Sequence, residues 1–348
     1  MNNHLFGQGK TIVFSSALRL DFDIMMMEEL KNYGFCILDI NKELNKKYFF
    51  HYPTICSFLY GKYRKIIYKD KQPSSDAKAE FYRQKISYVL SKNKSDYALF
   101  LRGDTLDDAT LCDIKNNTGI MINYQFDGLD RYPEIHSKIY LFDKFFVFDY
   151  QDLYRYPNLL PTTNFYFEPH TPLSNNGKIY LLAVHQDSRT KLINQFTSYA
   201  KQHHWDLDFT ISLIKDEQKN DYVTPENINF ISITKPISFY ENIACAQQST
   251  TLTDFVISEH NGLSFRVFEA LGYKKKLITT NETVKFYDFY HPNNIFIYNG
   301  ENHDELTEFL KLPYFPIDEN IRKKYSFANW IRYILDIPPY QKITLPEY

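Results

Sequence analysis

Residues Glu259 to Asn281, EHNGLSFRVFEALGYKKKLITTN, constrain this chain more than any other stretch. They follow an apolar, strand-like run, Asp254 to Ile257. Gly262-Leu263-Ser264 reads as a tight turn, and a short helix pattern holding Arg266 and Glu269 comes after it. Gly272 reads as the stop of that helix and Lys276 to Thr280 as the next strand. Strand, small-residue turn and helix start together make an anion site, because free backbone N–H groups and the positive end of the helix dipole converge above the turn. Glu269, about one and a half turns into the helix, is placed to accept from hydroxyls beside that anion. Phosphate next to a vicinal diol is the outline of a nucleotide. The alternative is a buried amphipathic helix with Glu269 at its polar edge.

The rest of the chain alternates strand and helix signals. With 348 residues it is long enough for two domains of about 150 each. In the first half the strand-like runs are Thr11 to Ser15, Phe35 to Ile40, Tyr97 to Leu101 and Gly119 to Tyr124. Short segments follow at Tyr140 to Phe142 and Phe145 to Asp149. Helix patterns lie between them: one capped by Asp21 and ended near Gly34, one over Asp76 to Leu90 and one over Leu106 to Lys115. Tyr156 to Leu173, with Pro157, Pro161, Pro169 and Pro172, reads as a linker, and Ser174-Asn175-Asn176-Gly177 as a turn. Alternation then restarts with strands at Lys178 to Val184, Asp208 to Ile214, Asn229 to Ile233, Asp254 to Ile257, Lys276 to Thr280 and Ile295 to Tyr298. Ser249 to Thr253 reads as a loop and Asn320 to Leu335 as one helix. Such alternation predicts parallel sheets covered by helices on both faces.

The 262–281 segment resembles the nucleotide-sugar site of GT-B glycosyltransferases, in particular the bacterial group linked to lipopolysaccharide and capsule synthesis. The residues that carry the resemblance are Arg266, Phe268, Glu269, Leu271 and Lys276-Leu277-Ile278-Thr279-Thr280-Asn281. Two first-half elements are similar to elements of the same group: Tyr124-Gln125-Phe126-Asp127 with Arg131, and Phe142-Asp143-Lys144 with Phe148-Asp149. The resemblance implies an α/β GT-B fold, two Rossmann-like doubly wound domains facing a cleft. Residues 1–173 would form the acceptor domain and 174–319 the nucleotide-sugar donor domain, with 320–348 crossing back to the first. It implies that Glu269 binds the ribose hydroxyls and that Gly262, Leu263 and Ser264 offer N–H groups to the phosphates. Arg266 would pair with phosphate or brace the loop. The retaining E-x7-E pair of many relatives is missing, since Asn261 stands where the first Glu would be. That leans the expected mechanism toward inversion, independent of metal.

Asp127 is the first candidate for a general base that deprotonates the acceptor hydroxyl, and Asp104 is the second. Arg131 is a candidate to hold an acidic acceptor or a donor phosphate, and Arg102 to bind the acceptor. Arg189 and Lys215, both at strand ends, are candidates to neutralise the departing diphosphate, and His260 borders the phosphate turn. A turn-capping Asp127 paired with Arg131, and a loop-capping Asp104, are the bland alternatives. Asp21-x-Asp23 and Asp206-x-Asp208 match a D-x-D metal pattern, but the first sits at a helix start and the second enters a strand, so no metal is expected.

Composition excludes several classes. A net charge of −2 gives no overall field for nucleic acid. Four cysteines without a C-x-x-C pair fit neither a zinc site nor a disulfide framework. No apolar run approaches membrane-spanning length, so a cytoplasmic protein is expected, with peripheral attachment at the inner membrane left open. The absence of a G-x-G-x-x-G fingerprint disfavours a nicotinamide enzyme, and no cofactor is expected beyond the nucleotide sugar as substrate. The expected function is transfer of a sugar to a surface-glycan acceptor: lipopolysaccharide, capsule or a lipid-linked oligosaccharide. The rivals are a GT-B-like pyruvyl or glycerol-phosphate transferase and a noncatalytic nucleotide-sugar-binding subunit of a synthase complex.

Overall fold

The computed structural model describes residues 5–17, 21–40, 54–69, 72–92, 94–257 and 262–347. Twelve strands form among them: β1 (Thr11–Ser16), β2 (Cys36–Asp39), β3 (Ser95–Leu101), β4 (Thr118–Gln125), β5 (Lys144–Val147), β6 (Leu159–Pro161), β7 (Ile179–Val184), β8 (Leu207–Leu213), β9 (Asn229–Ser232), β10 (Thr251–Asp254), β11 (Lys276–Thr279) and β12 (Ile295–Ile297). They make two six-stranded sheets, ordered β2-β1-β3-β4-β5-β6 and β12-β11-β10-β7-β8-β9. By contacts the chain divides into Met1–Arg19, Asp23–Gln125 and Tyr132–Phe145 as one unit, and Leu20–Phe22, Phe126–Arg131 and Phe146–Tyr348 as the other.

The strands are parallel because their runs are apolar on both faces and helices connect them. In the first sheet Val13 pairs with Leu38 on one side and Ala98 on the other. In the second, Leu252 pairs with Tyr180 and Leu277. Read outward from β9, the second sheet runs 3-2-1-4-5-6, the Rossmann order, with its topological switch point between β7 and β10. The first sheet has its switch point between β1 and β3.

Among the described residues the α-helices are α1 (Phe22–Asn32), α2 (Ile55–Ile67), α3 (Gln72–Lys92), α4 (Asp108–Asn116), α5 (Tyr150–Leu153), α6 (Asp187–Gln202), α7 (Phe239–Gln248), α8 (Phe265–Gly272), α9 (His303–Lys311), α10 (Glu319–Lys324) and α11 (Phe327–Leu335). Helix α6 shows why they dock. Thr190, Ile193, Phe196, Thr197 and Ala200 recur at helical spacing and are its buried face. Phe196 then stacks on Phe209 of β8 at 5.5 Å.

The structure departs from the sequence reading in several places. The Ser/Thr run read as a loop begins β10, and the strand expected at Asp254 to Ile257 ends at Asp254. Its threonines tolerate burial because their hydroxyls find partners, as Thr253 Oγ1 does on Tyr180 O at 2.8 Å. The segment read as a linker holds β6 and three buried aromatics, Phe165, Tyr166 and Phe167. Asp21 sits at φ 65, outside the extended backbone of an N-cap. Helix α2 lies where the reading placed no element.

The expected 320–335 helix is two helices. Between them Tyr166 accepts from Phe327 N at 2.8 Å and donates to Tyr325 O at 3.2 Å. This backbone bridge takes groups that a continuous helix would need, and Ser326 caps the second helix instead. Helix α11 then packs on residues 161–167. Trp330 donates Nε1–H to Thr163 O at 3.1 Å, and its ring lies 4.5 Å from that of Phe165. Phe165 in turn meets Phe265, the first residue of α8, at 5.2 Å. This aromatic chain sets where α8 starts. Trp330→Ala should cost about 3–5 kcal/mol in urea unfolding; a loss below about 1 kcal/mol would remove Trp330 from that role.

Candidate functional site

The second sheet's switch point places the carboxyl ends of β7 and β10 side by side. Two groups fix the surroundings of these ends. The Arg189 guanidinium, from the first turn of α6, donates Nη1 to Phe255 O at 3.2 Å and Nη2 to Val184 O. One cation thus spans the last residue of β7 and the residue after β10. The second group is the Asp254 carboxylate at the end of β10. It accepts from Ser264 Oγ at 2.9 Å and from Thr279 Oγ1 of β11 at 3.2 Å. Burial pushes its pKa upward, and the two hydroxyl donors pull the other way. Asp254 therefore fixes Ser264, the residue before α8, to the ends of two neighbouring strands. Sequence reading counted Asp254 only as a strand residue.

The 262–264 turn is held from two further sides. Asn164 Nδ2 donates to Leu263 O at 2.9 Å. A Cβ on Gly262 would lie 2.4 Å from the Phe148 ring and 2.9 Å from the Phe148 carbonyl oxygen. Glycine is needed here because an aromatic ring packs against the bare backbone. Gly272 has the same reason, its Cβ position lying 2.2 Å from the Tyr166 ring, while the left-handed residue that ends α8 is Lys274 at φ 55. Ser264 is the N-cap of α8 but makes no side-chain cap bond, since its hydroxyl goes to Asp254.

Behind the turn, α8 carries a buried ion pair. Arg266 Nη1 meets Glu269 Oε2 at 2.5 Å, with the side chains only 11% and 4% exposed. Arg266 Nη2 also donates to Asn242 Oδ1 of α7 at 2.8 Å, and its guanidinium lies 5.0 Å from the Tyr180 ring centroid of β7. Tyr180 OH donates to the same Asn242 oxygen at 3.0 Å. Burial raises the Glu269 pKa and Arg266 opposes that rise; burial works against the Arg266 charge, and the Glu269 charge, with Tyr180 and Asp254, shifts its pKa upward. Glu269 is thus buried against Arg266.

The remaining motif residues are structural props. Lys276 Nζ donates to Phe309 O at 2.5 Å and Leu310 O at 3.1 Å, carbonyls in the last turn of α9. Thr280 Oγ1 accepts from Val256 N at 3.0 Å, and Asn281 caps the 3-10 turn Glu282–Phe286. His185, at the end of β7, is buried with Nδ1 3.0 Å from Tyr222 OH and Nε2 3.1 Å from Asp187 Oδ1. Lys215 follows β8 and is exposed. His260 lies outside the described residues.

In the first unit, Arg102-Gly103-Asp104 follows β3 at that sheet's switch point. Arg102 has φ 65 and grips Asp104 with two bonds, Nε to Oδ1 at 3.1 Å and Nη2 to Oδ2 at 2.8 Å. Asp104 holds Arg102 with both oxygens and is 8% exposed at the side chain. In the other unit, Asp127 receives Arg131 Nη1 on Oδ1 at 2.9 Å, so the two are an ion pair. Asp143 accepts Lys115 at 2.9 Å and Met121 N at 2.8 Å, and Asp149 caps α5. Both Phe-Asp aspartates are therefore engaged in holding backbone and neighbouring charge.

The structure brings Arg189, Gly262, Leu263 and Ser264 to the second sheet's switch point and packs Arg266 and Glu269 behind them. Arg102 pairs with Asp104, and Asp127 with Arg131. Among the described residues no group of three or more His, Cys, Asp or Glu is arranged to hold a metal ion.

No protein-family model and no curated protein matches the sequence. Among solved structures, UDP-GlcNAc 2-epimerase from Methanocaldococcus jannaschii matches with a TM-score of 0.51 and 11% identity, covering 94% of this chain and 99% of that one. MurG from Acinetobacter baumannii matches at 0.46 and 9%, covering 94% and 99%. The glycosyltransferase SnogD from Streptomyces nogalater matches at 0.40 and 12%, covering 95% and 97%. With the two parallel Rossmann-like sheets, the fold class is GT-B.

The buried pair is testable as a unit. Arg266→Ala strands the Glu269 carboxylate and should cost about 3–5 kcal/mol of unfolding free energy. Arg266→Met combined with Glu269→Leu should recover most of that loss. A double variant as unstable as the single one would refute the pairing as the source of the cost.

Proposed function

We propose that this chain is a glycosyltransferase that moves a sugar from a nucleotide donor to a surface-glycan acceptor: lipopolysaccharide, capsule or a lipid-linked oligosaccharide. The observation that carries the reading is the braced turn at the Rossmann switch point. Backbone N–H groups at 262–264 and the start of α8 are held in place by Asp254, Asn164 and Phe148, and ligands of open α/β sheets bind at such points. A protein with the same fold acts on a UDP-sugar, which supports a nucleotide sugar as the ligand.

In this reading the diphosphate rests on the turn. Arg189, anchored between β7 and β10, and Lys215 offset the charge that grows as the leaving group departs. Glu269 takes ribose hydroxyls through Oε1 while Oε2 keeps Arg266. Asp127 is the base for the acceptor hydroxyl, with Arg131 holding its orientation and meeting an acidic acceptor. Asp104 has both oxygens on Arg102 and serves that arginine's position instead. Attack by a deprotonated hydroxyl on the face opposite the diphosphate inverts the anomeric centre.

A second reading is isomerisation of the bound nucleotide sugar without an acceptor, favoured by the fold likeness to a 2-epimerase. Incubation with UDP-, GDP-, CMP-, ADP- and dTDP-sugars separates the two. Transfer predicts that free nucleotide accumulates only when a glycan acceptor is supplied. Asp127→Asn should slow that release by at least about a hundredfold while nucleotide binding persists. Unchanged turnover in Asp127→Asn would remove it as the base, and an epimerised donor formed without acceptor would replace the transfer reading.

A further inference from the structure

Helix α2 presents an apolar surface that the donor site does not use. Ile55, Leu59, Tyr63, Ile66 and Ile67 are 78%, 58%, 52%, 72% and 60% exposed. At about 100° per residue they share one arc about 120° wide. The one buried residue of the helix is Gly61, which projects about 180° from the middle of that arc. The helix therefore rests on the protein through its glycine side and turns its apolar side outward.

The border of the arc is cationic. Lys62 and Lys65 flank one edge and Arg64 the other, and residues 54–69 contain no Asp or Glu in a chain of net charge −2. The charge is therefore local to this element. Tyr60, Tyr63 and Tyr68 add side chains with an apolar body and a polar tip, suited to a boundary between water and hydrocarbon. A wide apolar arc edged by cations has the chemistry of a helix lying in a lipid interface. No helix among the described residues is long and apolar enough to cross a membrane.

We propose that α2 docks on an anionic bilayer surface, with Leu59, Tyr63 and Ile66 in the boundary between headgroups and acyl chains and Lys62, Arg64 and Lys65 on lipid phosphates. The inference does not depend on the donor-site reading. Flotation of the full chain with phosphatidylcholine vesicles, with and without phosphatidylglycerol, tests it. The chain should float with the anionic vesicles and bind neutral ones far less. Leu59→Asp with Ile66→Asp should weaken the binding by at least about tenfold, with circular dichroism unchanged because both positions face solvent. Lys62→Gln and Lys65→Gln should each weaken it by about fivefold. Nucleotide binding should be the same in all these variants, so the two readings fail separately. Three results would overturn the proposal: no flotation with either vesicle, full flotation of the double aspartate variant, or a dimer that this variant dissociates while the vesicles stay bare. The last would name a second copy of the chain as the occupant.

Discussion

The geometry at the switch point depends on Asp254. Its carboxylate joins the end of β10, the end of β11 and the residue that opens α8. A parallel strand end exposes backbone groups, and without a fixed partner the loop that follows can settle in many arrangements. Two hydroxyl hydrogen bonds to one carboxylate remove that freedom. The Arg266–Glu269 pair continues the constraint one turn further and locks α8 to α7 and β7 through Asn242 and Tyr180. A buried ion pair adds little net stability over apolar residues of the same volume. Its use here is positional: it sets the rotation of a helix whose N-terminus faces the switch point.

The aspartates and arginines that look reactive along the chain largely hold one another. Arg102 is kept in a left-handed backbone conformation by two bonds to Asp104, and its guanidinium lies over the Tyr132 ring. A strained residue over-determined by its neighbours is found where orientation matters. Arg189 shows the same economy of placement, with its guanidinium on two strand-end carbonyls at the switch point. Cations fixed in advance stabilise developing charge without reorganising. That property links the packing of this molecule to the chemistry proposed for it.

Much of the fold was legible because parallel strands buried on both faces leave apolar runs, such as Ile12 to Phe14, Tyr97 to Leu101 and Ile179 to Leu181. The turn after β10 and the helix that follows it were legible for the same local reasons. What failed to read was set by distant partners. Gly262 looks like a turn residue and Gly272 like a helix stop, yet the rings of Phe148 and Tyr166 explain both. Thr251 to Thr253 look like loop until Tyr180 O accepts a buried hydroxyl. Phe165 to Phe167 sit among prolines and polar residues, and only docking with Trp330 and Phe327 makes them core. For Asp104 and Glu269 the residue types were visible, while the arginine each one holds follows from side-chain geometry.

The most direct test of the donor site is thermal unfolding of the purified chain with UDP, GDP, CMP, ADP or dTDP. A ligand that binds only the folded state raises the midpoint. One of the nucleotides should do so in the wild type, by about 2–8 °C for a ligand near 100 times its Kd. The shift should vanish in the Arg266→Met, Glu269→Leu variant, which keeps the fold and lacks the carboxylate. No shift with any of the five, or the same shift in that variant, would contradict the assignment of this switch point and its glutamate to a nucleotide.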